Sequence, residues 1–145
     1  MKAVIFQFEV TEGDYEKNLK KVQSLFHEHT LEEDSIVVLP EMWTSGYDLE
    51  NIEELAFHNL SGVKEEMEKL AVKYKVNIVA GSVPNIKEGS DVLNTAFVVD
   101  KKGGLIYEYS KIHLVPMLNE PEYLTGGDAS ADTFEMLGNK AGLVI

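Results

Sequence analysis

The chain has 145 residues, 44% of them apolar, which suits one domain with one sizeable core. Its 25 acidic residues against 13 basic give a formal charge of −12, a balance that argues against nucleic acid, whose phosphates need a basic face. No stretch nears the roughly 20 apolar residues of a membrane helix, and with no cysteine the 145 residues hold no disulfide, Cys-based zinc site or Cys redox pair.

Residues 2–8 are β-rich and read as a first strand. Their apolar run is too short for a signal-peptide core and no small-residue cleavage site follows, so the expected compartment is the cytoplasm. Residues 11–14 are turn-like, and Asp14 suits the N-cap of a helix in which Tyr15, Leu19, Val22, Leu25 and Phe26 recur at helical spacing. Residues 35–39 are a continuous apolar run of strand length, expected to be buried on both faces. Pro40 ends it ahead of a loop over 41–47. A second helix is predicted from near Ser61, with Val63, Met67, Leu70, Ala71 and Tyr74 on one face. Residues 76–80 follow as a buried strand closed by Gly81. Polar turn chemistry at 85–91 precedes β-rich runs at 93–99 and 105–109, joined by a hairpin connection at 100–104.

Residues 110–130 make a long loop with Pro116, Pro121 and the pair Gly126-Gly127; loops of this length within compact domains are usually functional or disordered. Residues 133–137 and 141–145 read as two final strands. The order strand–helix–strand–helix–strand, then hairpin strands, predicts an α/β fold with a mixed sheet. The run 141–145 reads as a central strand that stops without turn, cap or polar tail, so the chain is expected to continue beyond Ile145.

Three residues are placed to carry chemistry. Glu41 follows a buried strand directly, where α/β proteins tend to put ligand-facing groups, and partial burial there would suit a general base. Taken alone it reads more readily as a loop acid that caps or solvates the strand end. Lys111 follows the run 105–109 between apolar neighbours. A desolvated lysine there can stabilise an oxyanion, and a surface lysine with a buried stem fits the same pattern. Glu120 shares the long loop with Glu122, and both also read as solvated acids. Trp43 and Tyr47 suit either an entrance wall or core packing. His113, beside apolar residues, reads as structural. The spacing of His27 and His29 puts them on different faces of a helix, which argues against a metal site.

Together with their flanks these residues match one family. Leu39-Pro40-Glu41-Met42-Trp43 with Gly46-Tyr47 resembles the catalytic-glutamate motif of the nitrilase superfamily of carbon–nitrogen hydrolases, and Tyr109-Ser110-Lys111-Ile112-His113-Leu114 resembles its catalytic-lysine motif. Gly81-Ser82 and Leu93-Asn94-Thr95-Ala96 are similar to family strands lying between the two. Tyr123-Leu124-Thr125-Gly126-Gly127-Asp128 resembles the loop after a second, substrate-positioning glutamate, which maps best to Glu120. The resemblance implies a four-layer α-β-β-α sandwich, of which residues 1–145 would be the N-terminal half of a single domain. It implies amide hydrolysis by a Glu-Lys-Cys set through a thioester, with no cofactor and no metal. Glu41 would be the general base, Lys111 the oxyanion stabiliser and Glu120 the group that orients substrate.

In the family the nucleophilic cysteine follows a strand similar to Gly142-Leu143-Val144-Ile145, so it is expected immediately after Ile145; neither Ser110 nor Ser130 falls where it could substitute. The chain as it stands is therefore expected to be inactive and poorly soluble. Residues 40–47 look most like the branch of omega-amidases acting on 2-oxoacid amides such as 2-oxoglutaramate, with nitriles and N-carbamoyl compounds as rivals. The implied partners are a small-molecule amide and further copies of the full-length protein in a homo-oligomer, with neither nucleic acid nor membrane. The alternatives are a noncatalytic small-molecule-binding pseudoenzyme and a purely structural interaction domain.

Overall fold

The computed structural model describes residues 2–145. Strand β1 (Ala3–Ile5) is followed by helix α1 (Tyr15–Glu28), strand β2 (Ile36–Val38), the short helix α2 (Ile52–Leu55), strand β3 (Phe57–His58) and helix α3 (Val63–Tyr74). Strands β4 (Asn77–Ile86), β5 (Val92–Val99) and β6 (Leu105–Ser110) come next, then the short helix α4 (Glu120–Tyr123) and the strands β7 (Thr133–Met136) and β8 (Asn139–Gly142).

Both long helices form where the apolar spacing places them. Asp14 accepts the Lys17 N–H at 3.0 Å, satisfying one of the otherwise unpaired donors of the first turn of α1. Leu19, Val22 and Phe26 are buried along one stripe of α1, and Val63, Met67, Leu70 and Ala71 along one stripe of α3. These stripes share a core with Val37 and Leu39, with Ile78, Ala80 and Val83 of β4, and with Phe97 and Val99 of β5. Lys75, in the left-handed conformation at φ 54°, stops α3 and turns the chain into β4.

The main sheet runs β1-β2-β4-β5-β6, with β3 beside the far end of β4. β1, β2 and β4 are parallel, whereas β5 is antiparallel to both β4 and β6. The predicted α/β class with a mixed sheet is what the chain adopts. Of the four implied layers, the described residues supply one helical layer and one sheet. Alternation on β1 marks the two sheet faces: Phe6, just past the strand, packs in the helix-covered core, while Ile5 is 73% exposed. No helix among the described residues is long and apolar enough to cross a membrane.

Three elements differ from the sequence reading. Gly81 does not close β4; the strand passes through a bulge between Val79 and Ser82 and continues to Ile86, which shortens the predicted turn at 85–91. The long loop at 110–130 contains a 3-10 turn at Pro116–Leu118 and helix α4. The last strand is not a central one over 141–145. β8 spans Asn139–Gly142 and pairs only with β7, in a two-stranded sheet. Leu137 and Gly138, at φ 53° and 73°, make the two-residue turn that sets this register, Met136 opposite Asn139.

Candidate active site

The strand directions decide where the singled-out residues meet. β2 and β6 run the same way in the sheet and β5 runs against them. The residues just after β2, just after β6 and near the start of β5 therefore lie along one edge. Glu41, Lys111 and Asn94 occupy those places, on the edge where α/β sheets tend to seat ligands.

The Glu41 turn is held by its backbone and its neighbours rather than by its own side chain. After Leu39, whose N–H donates to Val79 O at 3.0 Å, the chain crosses the β4 bulge. Pro40 O accepts the Ser82 N–H at 3.2 Å, and the Met42 N–H donates to Ser82 Oγ at 3.0 Å. Met42 sits at φ +50°. The fully buried Trp43 donates its indole N–H to Ala80 O at 2.8 Å. On the helix side the buried Asn18 amide donates to Thr11 O at 2.7 Å and Thr44 O at 3.2 Å. Met42 through Gly46 are all buried, while the Glu41 side chain remains 35% exposed. Trp43 is thus core; Tyr47, 37% exposed, stands at the open side of the acid cluster. Its phenol is pushed well above the ordinary tyrosine value by burial first, then by the charges of Glu41 and Glu120.

Lys111 extends the β5–β6 ladder by one step. Its N–H donates to Asn94 O at 2.8 Å, and its own carbonyl accepts the Gly127 N–H at 2.8 Å. The close pass of residues 126–127 explains the glycine pair: a Cβ on Gly127 would lie 2.5 Å from Ser110 O, and one on Gly126 would lie 2.8 Å from Ile112 O. The lysine side chain is 7% exposed. Its ammonium donates to Glu41 Oε1 at 2.9 Å and Glu120 Oε1 at 3.0 Å. Burial pulls its pKa down, but the hydrogen bonds and charges of the two carboxylates outweigh this and leave it above the ordinary lysine value.

Glu120 opens α4 behind Asn119, which sits at φ 58°. It is fully buried; Oε1 faces Lys111, and Oε2 accepts the Val115 N–H at 2.7 Å. The structure thus brings Glu41, Lys111 and Glu120 into one hydrogen-bonded cluster, a buried ammonium between a buried and a half-open carboxylate. An ammonium has three N–H donors. Two are used among the described residues. Glu122, His27, His29, His58 and His113 take no part in the cluster. Among the described residues no group of three or more His, Cys, Asp or Glu side chains is arranged to hold a metal. Clefts of about 540 and 620 Å³ both border Ser90 and Asp91, and neither is lined by the three cluster residues.

The sequence reading assigned no role to Asn94, whose amide donates to Glu41 Oε1 at 2.8 Å. Its signal was there: Asn94-Thr95 is a polar pair inside an otherwise apolar strand, and buried polar groups must find partners. Thr95 finds the Ser110 hydroxyl at 3.0 Å, which also accounts for Ser110.

By fold and site this is an α/β protein with an acid–lysine–acid cluster at the edge of its central strands. The sequence model of the carbon–nitrogen hydrolase family matches residues 2–145. A protein named hydrolase in agr operon, from Staphylococcus aureus, is 48% identical over 136 residues, covering 94% of this chain and 52% of that protein. The 2-oxoglutaramate amidase of Bacillus subtilis is 39% identical over 135 residues, or 93% of this chain and 51% of that enzyme. Among solved structures, Saccharomyces cerevisiae Nit3, of branch 10 of the nitrilase superfamily, shares the fold with a TM-score of 0.81 at 24% identity, over 98% of this chain and 54% of that one. The chain belongs to the carbon–nitrogen hydrolase family, and it spans about half the length of the curated relatives it matches.

Proposed function

We propose that these residues are the first half of a small-molecule amidase domain and supply its general base, its oxyanion stabiliser and a substrate-orienting acid. The observation that carries this reading is the buried Lys111 ammonium, bonded to both Glu41 and Glu120. The proposed nucleophile is a cysteine thiol of the full-length protein, as the resemblance to a Glu-Lys-Cys family implies. Its proton passes to Glu41, and the thiolate sulfur attacks the amide carbon as the C–S bond forms. The third N–H of Lys111 donates to the resulting oxyanion, in a place where surrounding protein rather than water sets the field. The C–N bond then breaks, Glu41 returns the proton to the departing ammonia, and a thioester remains. Water, giving its proton to Glu41, attacks the thioester and releases the acid and the thiol. Glu120, held by Lys111 and the Val115 N–H, fixes the ammonium and through it the orientation of the substrate.

The substrate class is an omega-amide of a 2-oxoacid. Support comes from residues 40–47, which resemble the omega-amidase branch, and from the relative named 2-oxoglutaramate amidase. A noncatalytic protein that binds the amide is the second reading, compatible with the same acid–lysine–acid cluster. Ammonia release by the full-length protein from 2-oxoglutaramate, and its fall by about 10²–10⁴-fold in Glu41→Gln, is the expected result. Binding of the amide without any release of ammonia would instead establish the second reading.

A further inference from the structure

We propose that Asn94 is a positioning residue for this reaction, its amide fixing Glu41 through Oε1 so that Oε2 is the atom that takes the thiol proton. The inference rests on the assignment of Glu41 as the base.

Four observations converge on it. The Asn94 Nδ2 group donates to Glu41 Oε1 at 2.8 Å, and the orientation of the amide is fixed because a carboxylate can only accept from it. The same oxygen takes the Lys111 ammonium at 2.9 Å, so two donors meet on Oε1, and the Tyr47 phenol is the third polar group beside this carboxylate. The backbone carbonyl of Asn94 also takes the Lys111 N–H at 2.8 Å, so one residue sets the position of both base and lysine. Finally, Asn94 is fully buried, yet its Oδ1 has no partner.

The last point separates positioning from packing. A buried acceptor left unpaired carries a desolvation cost that a leucine of similar shape would avoid. Asn94 is therefore a poor choice for stability and a good one for presenting an N–H to Glu41. The need for it follows from the carboxylate itself. The terminal torsion of a glutamate is broad, and a lysine is a mobile point donor. Glu41 is also the open member of the cluster, 35% exposed. One donor lets the carboxylate swing, whereas two on Oε1 hold its plane and with it the position of Oε2.

The test measures ammonia release from 2-oxoglutaramate by the full-length protein and its variants Asn94→Leu, Asn94→Asp, Glu41→Gln and the Glu41→Gln/Asn94→Leu pair. Asn94→Leu is expected to lower kcat by about 100-fold, the scale of a misplaced reacting group, with KM changed by less than about threefold. Asn94→Asp keeps the shape but sets a second carboxylate against Glu41, and is expected to lose at least as much. In the Glu41→Gln background the leucine variant should cost nothing further, because there is no longer a base to position. If Asn94→Leu does not fold, Asn94→Asp decides the matter once its melting temperature shows it folded. An inactive Glu41→Gln beside Asn94 variants of near-parental kcat would overturn this inference alone; so would a full additive loss in the pair. Activity surviving in Glu41→Gln would overturn the base assignment itself and this inference with it.

Discussion

Replacing Lys111 with methionine is expected to lower kcat of the full-length protein by at least about 10³-fold, as the loss of a preorganised oxyanion donor does, and to destabilise the fold by about 3–5 kcal/mol, as breaking one side of a buried ion pair does. The stem is conserved in length and apolarity, so what is lost is the ammonium. Glu120, fully buried, would keep the Val115 N–H but lose its counter-charge, and Glu41 would lose one of the two donors on Oε1. Urea denaturation of both proteins measures the second effect, and steady-state kinetics the first. A methionine variant as stable as the parent would mean that the electrostatic account of the cluster is wrong.

The pH dependence of that stability difference has a definite sign. The pKa of Lys111 is raised in the folded state above its ordinary value of 10.5. Its contribution is therefore complete below that value and is lost as pH rises through the folded pKa. The gap in denaturation midpoint between parent and Lys111→Met should stay flat from neutral pH to the ordinary lysine value and close above it. A gap that closed toward neutral pH instead would place the titrating group elsewhere.

What could be read from the sequence was what local chemistry determines. The stripes of α1 and α3 and the Asp14 cap follow from spacing and side-chain reach within a few residues, and each is found in the structure. Glu41 and Lys111 could be marked as strand-end residues for the same reason. That they touch could not be read locally, because they are 70 residues apart and meet only through the sheet order. The segment holding α2 and β3 carried no periodic signal, and its short elements depend on partners elsewhere: Leu60 N–H, just past β3, donates to the buried Asn85 Oδ1. Residues 141–145 looked like a central strand because apolarity was the only cue. The turn at Leu137-Gly138, which shifts the register, needs a leucine at positive φ, a conformation that sequence rules count against. Gly81 reads as punctuation in the sequence, but a glycine in a strand marks a bulge or a close backbone approach as readily as an end.

Gly81 accordingly carries the other large expected effect. Its φ is +59°, and a Cβ there would lie 1.9 Å from Pro40 O and 2.8 Å from both Leu39 O and Pro40 C. All three are backbone atoms of the segment that delivers Glu41, so no side-chain rotation can relieve the contact. Gly81→Ala should destabilise the protein by more than about 4 kcal/mol, in the range reserved for severe clash and strain. Gly89 supplies the control, since it too has positive φ, at +74°, but a Cβ there meets nothing within 4 Å. Gly89→Ala should cost only the conformational strain, about 1–2 kcal/mol. The difference between the two, read from denaturation midpoints, isolates the crowding against Pro40. Folded Gly81→Ala should also lose more activity than its stability loss explains, because relief requires Pro40 to move and Glu41 to move with it away from Asn94 and Lys111. If the two alanine variants were equally stable, the bulge would not be what seats the Glu41 turn, and the placing of the base would have to come from the Trp43 and Asn18 contacts instead.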